Sequence, residues 1–200
     1  MKNLLLALLI GLSAVACTDR NAPDSYNPQL PPQTQTGANT FGTIINGKVM
    51  VPRTPTGYSP PGSQKYGASY TEDDSYLEIT AGDGKNTLRG FVFVYLKNIS
   101  NSMPISVGGY EIEESFGQLS ASTSDRTLIT VLLYDSKGNI ITYGSVEKTG
   151  TINIIRSDKN IISGTFSCKL KNTSNPEDII ELKDGRFDFT KQTIFNTYFP

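Results

Sequence analysis

From residue 40 onward, apolar and polar residues alternate in short runs broken by turn residues. A two-residue period puts successive side chains on opposite faces, which predicts strands. The first run, residues 40–52 (TFGTIINGKVMVP), contains Asn46-Gly47. That dipeptide supplies the two positive-φ positions of a type I′ turn and predicts a hairpin. Ile44 and Ile45 lead into it, Val49 and Val51 lead out, and Pro52 ends the second strand. Residues 75–81 (SYLEITA) form the next strand, closed by Gly82-Asp83-Gly84. In residues 88–98, Phe91, Phe93 and Tyr95 lie on one face and Val92, Val94 and Leu96 on the other. Both faces are apolar, so this strand is expected at the centre of a sheet.

Residues 104–112 (PISVGGYEI) give a further strand, with a bulge or tight turn allowed at Gly108-Gly109. Three hairpins are then expected. Residues 127–135 and 139–147 pair around Ser136, Lys137 and Gly138. Residues 149–157 and 160–172 pair around Asp158-Lys159, and residues 178–184 and 185–191 around Asp184-Gly185. About ten strands separated by turns predict an all-β fold, an antiparallel β-sandwich or barrel. One stretch breaks the period. Ile112, Phe116 and Leu119 have helical spacing, so residues 111–120 are expected to hold a short helix interrupted by Gly117.

Residues 52–71 read as a long loop with four prolines, exposing Tyr58, Tyr66 and Tyr70 among glycines and serines. Tyrosine offers a flat apolar face and a hydroxyl, so these three are candidate ligand-binding residues for a glycan or a protein. The plainer reading has them packing down on the sheet.

The start of the chain follows a different pattern. Lys2 precedes an apolar run over residues 4–12, then small residues lead to Cys17. This is the layout of a secretory signal over residues 1–16. The run falls short of the roughly 20 residues that span a bilayer. The residues AVAC at 14–17 resemble a bacterial lipobox, in which Cys17 is lipidated and becomes the first mature residue. Two or more acyl chains anchor stably where one binds reversibly. The membrane partner is therefore reached through a lipid anchor, in the outer membrane of the cell envelope. Residues 18–38 are proline-rich and polar, and read as a disordered tether whose ends would lie roughly 25 Å apart as a flexible coil. Eight of the eleven prolines precede residue 62, so residues 39–200 are expected to form the single β-rich domain.

Composition removes several function classes. The net charge is −1, or −2 once Lys2 is cleaved, and there is no basic run, so nucleic acid is not expected as a partner. Histidine is absent, which removes Ser-His-Asp and Cys-His catalysis within this chain and argues against zinc or copper. No cofactor and no metal are expected. With Cys17 lipidated, Cys168 stands alone, on the apolar face of its strand, as a small buried hydrophobe. Ser145 and Lys148 match S-x-x-K, and residues 148–150 match K-T-G. The two motifs share one lysine, which that mechanism does not allow. Glu72, Asp73, Asp74 and Asp83 match no EF-hand spacing and read as solvated turn acids. Glu113 and Glu114, adjacent on a strand, would face opposite sides and could not serve as a glycosidase pair.

The segments TQTGANTFGTIINGKVMVP, GGYEI, ISGTF and GRFDF, in that order, resemble a widespread group of Bacteroidota lipoproteins. The resemblance spans nearly the whole mature chain. Members often carry a cysteine in the TFG segment where this chain has Thr43, which leaves Cys168 without an obvious partner. The group carries no established activity. The resemblance thus implies an envelope lipoprotein and no catalytic residues. The expected function is a non-enzymatic interaction or accessory module. The alternative is a binder of a glycan or small apolar ligand, in a barrel interior or at the 52–71 loop.

Overall fold

The turn at Asn46-Gly47 forms as its sequence requires, with φ values of 50° and 82°. It joins β1 (Thr40–Ile45) to β2 (Lys48–Met50). The structure is a computed structural model and describes residues 28–53, 67–85, 90–119 and 125–194. The remaining strands are β3 (Gly67–Glu72), β4 (Tyr76–Asp83), β5 (Gly90–Lys97), β6 (Gly108–Glu111) and β7 (Leu128–Tyr134). After them come β8 (Ile140–Ser145), β9 (Thr151–Ser157), β10 (Ile161–Asn172) and β11 (Ile179–Thr190). One helical turn, α1 (Lys191–Ile194), follows.

All eleven strands belong to one antiparallel, strongly curled sheet, a half-barrel, in the order β2-β1-β11-β10-β8-β7-β5-β4-β3. β9 and β6 branch from β10. Among the described residues, contacts across the curl join its two sides at each end. Arg53, just past β2, forms a parallel bridge to Asp83, with a bidentate ion pair at 3.0 and 3.2 Å. At the opposite end, Lys191 of α1 pairs with Glu72 of β3 at 2.6 Å. Alternation then sorts the side chains. Phe41, Ile79, Val92, Val94, Val131, Ile152, Phe166, Leu170, Phe187 and Phe189 fill the concave interior. As its pattern predicts, β5 is central and covered on both faces. Phe91 and Phe93 form one outer cluster with Leu132, and Tyr95 forms another with Leu128.

Four expectations are corrected. β11 is one continuous strand, not a hairpin at Asp184-Gly185. Both of its halves pair with the twelve-residue β10, and an extra residue is accommodated between the Gly185 and Leu182 pairings, with Asp184 at φ 51°. The bulge flips the alternation, so Leu182 before it and Phe187 after it both face the core. Second, residues 67–72 are a strand, β3, rather than the end of a loop. Third, residues 112–119 are not helical. Ile112 is buried in the core, and from there the chain crosses to the outside of β8, where Ser115 N donates to Ser145 O at 2.9 Å and Gly117 bends it at φ 82°. The Ser115 and Thr130 hydroxyls are bonded at 2.6 Å beneath this strap. Gly144 makes the approach possible, because a Cβ there would overlap the Ser115 carbonyl.

Fourth, residues 28–38, expected within a free tether, lie on the outside of β1, β11 and β10. The Asp188 carboxylate accepts from Thr34 Oγ1 at 2.6 Å and from the amides of Thr36, Gly37 and Ala38 at 2.9, 2.8 and 3.1 Å. Arg186 donates to the Pro31 carbonyl, Arg156 to that of Gln35, and Thr190 Oγ1 to that of Gly37. Among the described residues no helix is long and apolar enough to cross a membrane.

Candidate functional site

Tyr58, Tyr66 and Cys17 lie outside the described residues. Tyr70 does not sit on an exposed loop. It is on β3, points into the barrel, is 2% exposed, and its ring lies 6.2 Å from that of Phe189. Burial first, and then the neighbouring Glu72 carboxylate, push its pKa far up. No hydrogen bond reaches its hydroxyl among the described residues. Tyr70 thus helps close the curl and is removed from the ligand-binding candidates.

Aromatic and aliphatic side chains pack the interior. Among the described residues, concavities open on the outer surface. The first, of about 440 Å³, is lined by Lys97, Glu113, Glu114, Asp125, Arg126 and Glu147. Its rim is partly apolar: Phe116 is 75% exposed, and the Arg126 guanidinium lies 5.7 Å from its ring centroid. Glu113 and Glu114 both line this hollow, contrary to the expectation that they would face opposite sides. They lie in the irregular start of the strap, where strand alternation does not apply. Their chemistry is nonetheless committed. Glu114 pairs with Lys171, Glu113 Oε1 accepts from the Thr127 amide, and Glu147 pairs with Lys148.

The other chemical motifs dissolve in the same way. Ser145 Oγ donates to the Glu113 carbonyl and accepts from the Ile129 amide, so it fastens the strap. Lys148 is a surface residue whose pKa is raised by Glu147. Asp73 caps the turn before β4, while Glu72 and Asp83 sit at opposite ends of the barrel. Among the described residues, no group of three or more Cys, Asp or Glu side chains is arranged to hold a metal. Cys168 faces the core as its alternation predicts, and burial pushes its thiol up to about 12. A thiol so shifted carries almost no thiolate at neutral pH and is inert.

The second concavity, of about 260 Å³, lies on the outer face of β9, β10 and β11 beside the N-terminal strap. Asn153, Thr165 and Arg186 occupy one row across the three strands, since Thr165 pairs with Asn153 on one side and Arg186 on the other. Ser167 and the bulged Asp184 border the row, and Gln33 of the strap forms a wall. Sequence reasoning did not single out these residues. The partial signal was Asp184-Gly185, read as a turn when it is the bulge that shapes the groove floor. Asp188 was missed as well. Burial alone would raise its pKa, but bonds from Thr34 Oγ1 and the Ala38, Thr36 and Gly37 amides more than offset this and hold it low.

Comparison with protein-family models, curated proteins and solved structures finds no match to this chain.

Proposed function

We propose that this protein is a lipid-anchored module of the bacterial outer membrane that works by surface contact and carries no catalysis of its own. The anchor rests on the leader and on Cys17 at the lipobox position. The observation that carries the contact reading is the packed interior, where Phe41, Phe166, Phe187 and Phe189 stack in one aromatic series with centroids 5.5 to 6.5 Å apart. A ligand-carrying barrel needs open volume there. The exposed Phe116 under Arg126 supplies the kind of aromatic and arginine pair enriched at protein interfaces.

Two measurements test the reading. Labelling cells with a palmitate analogue should mark the wild type in the membrane fraction, whereas Cys17→Ala should be unlabelled and released. A Cys17→Ala chain that stays membrane-bound would sink the anchor. Titration with palmitic acid should leave the melting temperature unchanged. A rise that grows with fatty-acid concentration would show an interior ligand site and overturn the contact reading.

A further inference from the structure

We infer that the groove between the N-terminal strap and the outer face of β9–β11 is a binding site for a single neutral sugar ring. The groove is concave and its floor is built from three strands, so the backbone that carries the floor residues is held by ladder hydrogen bonds, while Gln33 comes from the strap. Its volume of about 260 Å³ lies below the roughly 300–1,000 Å³ of drug-sized sites, which limits the occupant to one ring.

The lining chemistry selects the class. Asn153 and Gln33 bring amides, Thr165 and Ser167 hydroxyls, Asp184 a carboxylate and Arg186 a guanidinium. The two formal charges cancel, which disfavours an ionic ligand. Each sugar hydroxyl donates and accepts at once, and this set offers both functions around one hollow. The groups are also partly pre-positioned. Arg186 Nε donates to the Asp184 carbonyl at 3.1 Å and its Nη1 to the Pro31 carbonyl at 3.3 Å, leaving Nη2 for a ligand. Asn153 Nδ2 donates to Thr151 Oγ1 at 3.1 Å, which fixes the amide at the β9 border of the groove. The side chains of Gln33, Thr165 and Ser167 make no hydrogen bond among the described residues, so a ligand displaces only water from them. The one aromatic residue at the site, Phe166, is only 2% exposed and turned into the core. Without a stacking face, affinity rests on hydrogen bonds alone, and a Kd of about 1 mM is expected.

The inference deepens the contact-module reading by naming the partner's chemistry. The two fail separately, since a fatty-acid response would sink the module while the absence of any sugar response would sink only the groove.

The test is ligand-observed and protein-observed NMR on the full chain in detergent, titrated with glucose, galactose, mannose and N-acetylglucosamine. At least one should give saturable shifts confined to β9, β10 and β11, while glucuronate and glucosamine should bind at least tenfold more weakly. The double variant Thr165→Val/Ser167→Ala keeps two outward strand positions filled and should retain the wild-type melting temperature. It should weaken the responding sugar at least tenfold. Four sugars without a saturable shift at concentrations tens of times the expected Kd would overturn the site. So would shifts that the double variant leaves unchanged.

Discussion

Asp188→Asn should release the N-terminal strap while leaving the barrel folded. The carboxylate is buried at 1% exposure and receives four donors, from Thr34, Thr36, Gly37 and Ala38, within 2.6–3.1 Å. Hydrogen bonds to a charged group contribute roughly 1.5–3 kcal/mol each. Their sum is an upper limit that is not reached, because the strap can lift off and return its donors to water. The loss is therefore capped by the free energy that docks the strap. The asparagine removes the charge and turns an amide NH₂ toward backbone donors, while the Arg156, Arg186 and Thr190 contacts remain. A docking loss of about 2–4 kcal/mol follows, or a roughly 30- to 700-fold increase in strap opening at 1.4 kcal/mol per decade. Hydrogen exchange reads this directly. The amides of Thr36, Gly37 and Ala38 should exchange faster by that factor, and those of β10 and β11 should be unchanged. Strap amides that keep wild-type exchange would refute the reasoning. Equal acceleration throughout the sheet would refute it too, by making the strap inseparable from global unfolding.

The same carboxylate sets a pH dependence. Its folded pKa is held below the ordinary aspartate value. The stabilisation is then complete above the unfolded value of about 3.9 and lost as pH falls through the folded value. Acidification below about pH 4 should open the wild-type strap, and Asp188→Asn should show no such step.

Three further outcomes are expected. Gly144→Ala drives a methyl group into the Ser115 carbonyl and should cost about 1–3 kcal/mol. For a chain of this size that is a melting-temperature drop of roughly 2–12 °C by circular dichroism, and an unchanged melt would mean that the 112–119 strap is not held as described. Arg53→Met leaves the fully buried Asp83 without its guanidinium, and should cost about 3–5 kcal/mol in denaturant titration. Adding Asp83→Leu should recover part of that loss, and a double variant no more stable than the single one would discount the buried charge as the cause. The Cys168 thiol, pushed up to about 12, should react with an aromatic disulfide reagent only on unfolding, so a fast phase in native protein at pH 8 would contradict its placement.

The parts of the fold that were legible in the sequence are those fixed by local rules. Asn46-Gly47 makes its turn because both residues adopt positive φ. Asp135 and Asp158 make theirs by accepting backbone amides two to four residues ahead. Residues 91–96 declare a central strand because both faces are apolar. Asp184-Gly185 carries the same local signal as Asn46-Gly47 and gives a different structure. There the twelve-residue β10 offers both flanking runs a partner at once, and a bulge keeps both sets of apolar residues facing inward. Tyr70 was misplaced for a related reason. Glycine, serine and proline around it read as a loop, while its burial depends on Phe189, far away in sequence.

What stayed illegible shares one physical origin. A half-barrel strand buries its inner face by alternation, and alternation can be read from the chain. The outer face is covered by straps that hold on through backbone groups, and backbone groups have no sequence signature. Residues 113–119 lie on β8 because Gly144 leaves room for the Ser115 carbonyl and the Ser145 hydroxyl donates to the Glu113 carbonyl. Residues 28–38 lie on β11 because one carboxylate gathers three successive amides. In both cases the informative residue is in the strand and not in the strap: a glycine at 144, and an aspartate between Phe187 and Phe189 at 188. A glycine or a charged residue at an outward strand position looks like ordinary solvent exposure, yet here each marks where another segment crosses. Both concavities follow from the crossings, since one opens where the 112–119 strap begins and the other takes Gln33 of the N-terminal strap as a wall. The candidate sites were therefore hidden together with the straps, and Asp188→Asn, which frees one strap, should also weaken sugar binding in the groove that Gln33 borders.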